Sequence, residues 1–466
     1  MTNTPMAGTP MTDARPAAAP PFDALARQLS PRAVSVDPDD LRRLSADRSG
    51  QRPDAPPLAV VRAASADDVV ATLGWASAHR IPVVPRGAGT GLAGGATAGA
   101  GTVVLDLAGM NRILALHAED GFAEVEPGVI TAELDRAARA VGLRYAPDPA
   151  SAELSTVGGN IATDAGGLHC VKYGVTRDAV LGLDVVLADG TRLRTGRRTV
   201  KGVAGYDLTS LFTGSEGTLA VVVGATLRLL PTPARTGTAA AYFATPEAAA
   251  AACAAVLDAG LRPSVLELLD GHTLTAIARL RGEPPPDGRA FVLARTDGFA
   301  ADAEIAAVHA VLRRTATTSE CTDDPETAEA LLATRRLALP AVERLGRVLI
   351  EDIAVPRSRL AEAVRALSAL AERSGVPIFT FAHAGDGNLH PLVLAEGRDP
   401  ATVTETVDEI FRLALRLGGT ITGEHGVGSL KRAWLAAESG NDALRVQRRI
   451  KDALDPLGIL NPGKAI

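Results

Sequence analysis

Two histidines, His383 and His390, frame the segment FAHAGDGNLH, and a third, His425, follows Glu424 in ITGEHGVGS. The whole chain has only eight histidines, so three in two glycine-rich segments are a concentration that calls for a cause. Histidine and glutamate flanked by glycine are characteristic of loops that present ligands. Imidazole and carboxylate together suit Zn²⁺, Mn²⁺ or Fe²⁺, and three protein ligands leave a position open for a substrate. LLATRRLALP adds an arginine pair, Arg335 and Arg336. Such a pair on a helix is either a solvated face or a planar fork for a carboxylate. Asn388, just after Asp386-Gly387, reads equally as a pocket residue and as a turn residue.

A second chemistry is written in glycine. PRGAGTGLAGG contains a literal GxGxxG, Gly89 to Gly94, after an apolar strand. A Rossmann site would need the last glycine to open a helix, with an acidic residue about 20 positions on. Here the chain continues GATAGAGTVVLDL, too glycine-rich to nucleate a helix and running straight into a strand. What remains is a backbone cradle, in which glycines let successive N–H groups converge on a pyrophosphate. PDPASAELSTVGGNIATDAGG supplies a second loop with Thr156, Gly158, Gly159, Asn160 and Gly166-Gly167. FTGSEGTLAVV supplies a third with Glu216-Gly217.

The elements that must position these loops alternate along the chain. Ser65 is a good N-cap for the helix SADDVVATL, IPVVP and TVVLDL read as strands, and a second helix starts near Thr131. LGLDVVLADGTRLRT reads as a hairpin turning at Asp189-Gly190, and Pro231 and Pro233 mark a linker. Beyond it TPEAAAAACAAVLDAG, PRSRLAEAVRALSALAERSG and DPATVTETVDEIFRLALRLGG are helices between apolar runs. Helices on one face of an antiparallel sheet would make an α+β domain. At 466 residues, two or three domains are expected. A net charge of -6 offers no basic stripe for nucleic acid. The three cysteines, Cys170, Cys253 and Cys321, form no CxxC pair, so neither a disulfide framework nor an iron–sulfur cluster is expected, and a reducing cytoplasm fits. Residues 1–21, rich in Pro, Ala and Thr, read as a disordered tail and not a signal peptide. No stretch is long and apolar enough to span a bilayer, which leaves peripheral membrane association at most.

PVVPRGAGTGLAGGA, STVGGNIATDAGG, VKYGVTRD, GYDLTSLFTGSEGTLAVV and LNPGK resemble the FAD-binding motifs of the vanillyl-alcohol-oxidase superfamily. Within it the chain resembles the glycolate oxidase flavin subunit and the D-lactate dehydrogenases, from about residue 50 onward. The resemblance implies an α+β fold: an FAD-binding domain of two α+β subdomains at 50–233, a ferredoxin-like cap domain at 234–420 carrying the substrate site, and a C-terminal helical segment at 421–466 returning to the flavin. Pro85, Arg86, Gly87, Ala88, Gly89, Thr90 and Gly91 would wrap the pyrophosphate. Pro147, Thr156, Gly158, Gly159, Asn160, Ala162, Gly166, Gly167, Tyr173, Gly174, Glu216, Gly217, Val221 and Asn461 would complete the cofactor site. The first loop has no histidine, so noncovalent FAD is implied. His383, His390 and Glu424 would hold the divalent metal, and His425 would be the base. Arg335 matches the substrate arginine of an aromatic-Ala-x-Arg pattern, with Leu332 in place of the aromatic.

The implied activity is oxidation of a small 2-hydroxy acid. The electron acceptor would be another subunit, a quinone or a carrier. Three alternatives keep the flavin: an inactive flavin-binding subunit, a 2-hydroxyglutarate dehydrogenase, and an ether-lipid-forming synthase. A metallohydrolase with a nucleotide-like domain would not keep it. Relatives acting on 2-hydroxyglutarate carry polar groups where this chain has Ile350 and Leu392, so glycolate or D-lactate is the expected size.

Overall fold

The computed structural model describes residues 22–199, 201–286 and 289–466; the tail expected at 1–21 lies outside them. The chain first builds a four-stranded sheet from β1 (Val34–Ser35), β2 (Ala59–Arg62), β3 (Val83–Arg86) and β4 (Val103–Asp106), in the order β1-β2-β4-β3. β2, β4 and β3 are parallel. The crossover helix Ala66–His79 starts where Ser65 accepts the Asp68 N–H. Between β3 and β4 the glycine loop contains no helix, so no Rossmann unit forms.

A second, wholly antiparallel sheet contains β5 (Ile113–His117), β6 (Phe122–Val125), β8 (Val180–Val186), β9 (Arg192–Arg194) and β10 (Val221–Arg228), ordered β5-β6-β10-β8-β9. β8 and β9 form the expected hairpin about Asp189-Gly190. β7 (Leu143–Arg144) and β11 (Leu230–Pro231) pair as a small ribbon. The helix Val157–Thr163, capped by Thr156, packs Val157 and Ile161 into the core of this second sheet.

The second half is one antiparallel sheet of eight strands: β12 (Thr236–Phe243), β13 (Val265–Asp270), β14 (Ala290–Asp297), β15 (Thr318–Thr322), β16 (Val348–Ile350), β17 (Ile353–Ala354), β18 (Ile378–His383) and β19 (Asn388–Leu394). Its first four strands lie in the order β15-β12-β14-β13, with helices Pro246–Asp258 and Ala301–Leu312 as connections. That is the 4-1-3-2 order of a ferredoxin-like βαββαβ unit. The remaining strands repeat it. Thr420 bridges Ala354 on β17, which pairs with β19, which pairs with β18, and helices Leu360–Ser374 and Pro400–Arg416 make the connections. The two units meet edge to edge where β13 pairs with β18, and there Glu267 lies opposite His383.

Helices on a single face were expected; the structure has them on both. One core joins Leu266, Leu268, Ile378, Ala382 and Leu389 to the four connecting helices. On the other face Leu269, Phe379, Phe381 and Leu392 pack with residues of the helices Gly271–Arg281, Pro325–Arg336 and Ala338–Glu343. The second layer is needed because both faces of these strands are apolar, apart from the few polar residues of the site.

A buried polar knot ties the first half to the second. Asp297, at the end of β14, accepts from Lys172 Nζ at 2.6 Å and Tyr173 Oη at 2.7 Å, with Arg144 Nη1 at 3.4 Å. Its side chain is 3% exposed, and although burial opposes ionisation, Lys172, Tyr173 and Arg144 hold the carboxyl below the usual range. Removing one member of a buried charge network leaves the others uncompensated, at a cost of about 3–5 kcal/mol. We expect Asp297→Ala to lose stability of that order, read as a fall in denaturation midpoint at unchanged secondary structure. A midpoint within experimental error of wild type would contradict the assignment.

Candidate active site

The three glycine loops converge. A cleft is lined by 85–93 at the end of β3 and beyond it, by Thr156, Gly158, Gly159, Asn160, Ala162 and Gly166 around the helix Val157–Thr163, and by Glu216, Gly217 and Val221 before and at the start of β10. Close approach explains two of the glycines. A β-carbon on Gly158 would lie 2.5 Å from Pro127 Cβ, and one on Gly87 would overlap Thr156 Oγ1. Glu424 and His425 form part of the same wall, with Leu339.

The loops are held by the returning C-terminal segment. The Glu216 carboxylate accepts the N–H groups of Val427 and Gly428, both at 2.8 Å. Asn461 Nδ2 donates to the carbonyls of Glu216 and Gly95, and Leu460 pairs with Val83 beside β3. Glu216 and Asn461 both adopt positive φ, 51° and 41°.

Behind Glu424 in that wall, His383 and His390, which do not themselves line the cleft, join Glu424 in bringing one ligand atom each to within 4.8 Å of one another. Glu424 Oε1 lies 3.1 Å from His390 Nε2 and 3.4 Å from His383 Nε2. His383 ends β18 and His390 lies on β19, so a hairpin fixes both. Asn388, His390 and Leu392 alternate onto one face of β19. The register pairs His383 with Asn388 and Phe381 with His390, which puts all five on the same side of the sheet.

Two acids that the sequence reading did not assign complete the site. Glu267 is fully buried, with Oε1 2.7 Å from His383 Nδ1 and Oε2 accepting from Arg335 Nε at 2.6 Å. Asp352, also fully buried, accepts through Oδ2 from the N–H groups of Glu424 and His425 and from Thr422 Oγ1. It lies within the same 4.8 Å of ring nitrogens of His390 and His425. The signal for Glu267 was an acid inside the apolar run VLELL, since a buried carboxylate in a strand must have a partner. Asp352 sits in a similar setting, VLIEDIAVP.

Four carboxylates, Glu267, Asp352, Asp386 and Glu424, meet here, and among the described residues Arg335 and Lys431 are the fixed cations beside them. Burial opposes ionisation of Glu424, but His383 and His390 hold it well below the usual carboxylate range. Burial also opposes a charged His383, yet Glu267 and Glu424 raise it well above the ordinary imidazole value. Burial pushes His425 down to about 4 against the pull of Asp352, so its ring is neutral at pH 7. Asp352 Oδ1, His390 Nδ1 and His425 Nδ1 are buried without a hydrogen-bond partner among the described residues. A deficit of positive charge around two imidazoles and a carboxylate is the donor set a divalent cation fits.

Arg335 reaches this group through Glu267. Its guanidinium lies 4.2 Å over the Phe381 ring, and its Nη groups make no hydrogen bond among the described residues. Arg336 points elsewhere, pairing with Glu329. Asn388 is buried, its Oδ1 without a partner among the described residues and packed against Gly423. Pro147, Gly167, Tyr173, Gly174 and Asn461 do not line the cleft. Tyr173 instead faces Asp297, and Asn461 acts from behind the loops.

Residues 57–196 match the family described as FAD binding domain, and residues 232–465 the family described as FAD linked oxidases, C-terminal domain. The chain is 42% identical over 416 residues to the glycolate oxidase subunit GlcD of Bacillus subtilis, covering 88% of each chain. It is 33% identical over 454 residues to the D-lactate dehydrogenase of Anaerostipes hadrus, covering 94% of this chain and 95% of that one. Among solved structures it is similar to p-cresol methylhydroxylase with substrate bound, at TM-score 0.78 and 18% identity over 95% of this chain and 96% of the other. It is likewise similar to 4-ethylphenol oxidase from Gulosibacter chungangensis, at TM-score 0.76 and 22% identity over 95% and 96%. At such identities the two structures speak for the fold alone.

The matched FAD-binding domain contains the first two of the three glycine loops. Gly158→Ala places a methyl against Pro127 that no rotamer can relieve, and overpacking of this kind costs about 1–3 kcal/mol. We expect FAD affinity to fall by about 10- to 100-fold, read as a lowered flavin-to-protein absorbance ratio after purification. A fully flavinated Gly158→Ala protein would show that the loops can separate without cost.

Proposed function

The chain belongs to the FAD-linked oxidases and is an FAD-dependent oxidoreductase, and from that premise we propose that it oxidises a small 2-hydroxy acid to the 2-oxo acid. One observation carries the reading: Glu424 and His425 stand in the wall of the glycine-lined cleft itself, so the flavin cradle and the histidine–carboxylate cluster are one continuous site. The relatives named glycolate oxidase subunit and D-lactate dehydrogenase support the substrate class.

When bound, FAD supplies a hydride acceptor, and a divalent Zn, Mn or Fe ion supplies a Lewis acid that makes the substrate hydroxyl easier to deprotonate. His383, His390 and Glu424 would hold that ion, and no histidine in the 85–91 loop offers a covalent link, so the FAD is noncovalent in this reading. The substrate carboxylate meets the free Nη edge of Arg335, a planar match that a lysine would not reproduce. His425, neutral because burial outweighs Asp352, accepts the hydroxyl proton as the carbon gives up its hydride. Asp352 steadies the base by taking the backbone N–H groups of Glu424 and His425 together. Asn388, whose buried Oδ1 has no partner among the described residues, would be a polar contact for substrate. The intact cluster weighs against an inactive flavin-binding subunit.

No helix among the described residues is long and apolar enough to cross a membrane, and we place the protein in the cytoplasm, with peripheral membrane contact compatible. The three cysteines are free and far apart in sequence. Electrons therefore pass to an acceptor outside this chain: another subunit, a quinone or a carrier.

His425→Asn removes the base while leaving His383, His390 and Glu424 in place. Flavin reduction by substrate in stopped flow should slow by about 10²–10⁴-fold at unchanged FAD content. A rate near wild type would move the base to another group.

Substrate size follows from β16 and β19. Ile350 and Leu392 are register partners, and Leu392 is fully buried on the His390 face with Phe379 and Phe381. A second carboxylate pressed there would be unpaired, at a cost of several kcal/mol. With an artificial acceptor, kcat/KM for glycolate or D-lactate should exceed that for 2-hydroxyglutarate by orders of magnitude. A tenfold preference for 2-hydroxyglutarate would overturn the short-substrate reading.

A further inference from the structure

Glu267 lies where the two ferredoxin-like units join, and nothing about that strand requires a charge. Its neighbours Leu266 and Leu268 enter one apolar core, and Leu269, on its own face, enters the other. An apolar side chain would fill the position, and replacing buried ion pairs with apolar residues is often neutral or stabilising. The carboxylate instead uses both oxygens. Oε1 meets His383 Nδ1 at 2.7 Å and Oε2 meets Arg335 Nε at 2.6 Å. One rigid planar group thus spans a cluster histidine and the substrate arginine, which stand 48 residues apart in sequence and on different elements.

We propose that Glu267 is a positioning residue that sets two things at once: the ligating nitrogen of His383 and the carboxylate-facing edge of Arg335. The proposal rests on the metal and substrate roles given to those residues above. As an ionised acceptor, Glu267 requires hydrogen on His383 Nδ1, which leaves the lone pair on Nε2, the nitrogen that faces Glu424 3.4 Å away. By engaging Arg335 at Nε, it leaves the Nη pair as a two-pronged fork for a carboxylate. Its negative charge also separates a guanidinium from a divalent cation that would otherwise repel it. Binding of cation and substrate are coupled through this one side chain.

The test is Glu267→Gln in the flavin-loaded full chain. Glutamine has one acceptor oxygen, while both partners present N–H groups, so only one can be matched. If the amide NH₂ turns to His383, the imidazole shifts its hydrogen to Nε2 and loses the ligating lone pair. We expect Zn²⁺ affinity, measured by competition with a chromophoric chelator, to fall about 10- to 100-fold. KM for glycolate or D-lactate should stay raised at saturating Zn²⁺, with FAD content unchanged. A merely structural carboxylate would lower the melting temperature and leave Zn²⁺ affinity and KM at wild-type values; that result overturns the proposal. Glu267→Asp keeps the charge but is too short to hold both partners, so its Zn²⁺ affinity or KM must also shift. Should Glu267→Gln fail to fold, wild-type values of both in Glu267→Asp overturn the proposal equally. Absence of Zn²⁺ binding by the wild type overturns the metal reading itself, and the His383 half of the proposal with it. Zn²⁺ binding that is equal in wild type and variant, with KM unmoved, removes only the role of Glu267.

Discussion

Gly166 and Glu424 touch so closely that a β-carbon on the glycine would overlap the carboxylate. That contact states the constraint on the whole molecule. Residues from the FAD-binding half and from the second half must share one reaction space, although each half folds about its own core. The contact cannot be made by either half alone, so the chain crosses back after the second sheet. The segment from Ile421 onward supplies Glu424 and His425, ties Val427 and Gly428 to Glu216, and ends with Leu460 and Asn461 against β3 and the loops. Glycines at 426 and 428, both at positive φ, let this segment turn within van der Waals reach of the flavin loops.

The electrostatics follow from the same crossing. Burying four carboxylates in one place is unfavourable unless positive charge accompanies them. Arg335 offsets Glu267, and Lys431 lies 3.9 Å from Asp352 while donating to the carbonyls of Asp352 and Ile421. Glu424 is left with two imidazoles. In the proposed function a divalent cation would complete that balance and would also supply the polarising charge that alcohol oxidation needs, giving the stability of the site and its chemistry one origin.

The parts of this arrangement legible in the sequence were those with unusual local composition. Glu424 and His425 stand between glycines, His383 and His390 bracket two more, and the cradle loops pair glycines with apolar strands, so short windows sufficed. The hairpin at Asp189-Gly190 and the helix capped by Ser65 were local in the same sense. Glu267 and Asp352 were not, because their meaning lies in pairings such as the Glu267–His383 register across 116 residues. The helices on the second face of the large sheet were missed for a related reason. A strand buried on both sides loses the polar alternation that would announce one covered face. Tyr173, grouped with the cofactor through its motif, turns to Asp297, a partner 124 residues away.

The central claim is that flavin and metal cluster act as one site, and anaerobic flavin reduction before and after metal removal tests it most directly. Purified protein is treated with a chelator, mixed with glycolate or D-lactate in stopped flow, and followed at the flavin absorbance bands; the measurement is repeated after restoring Zn²⁺, Mn²⁺ or Fe²⁺. Slow or absent bleaching in the metal-free protein, with fast bleaching on reloading and constant FAD content, is the predicted result. Equally fast bleaching with and without metal would contradict the account.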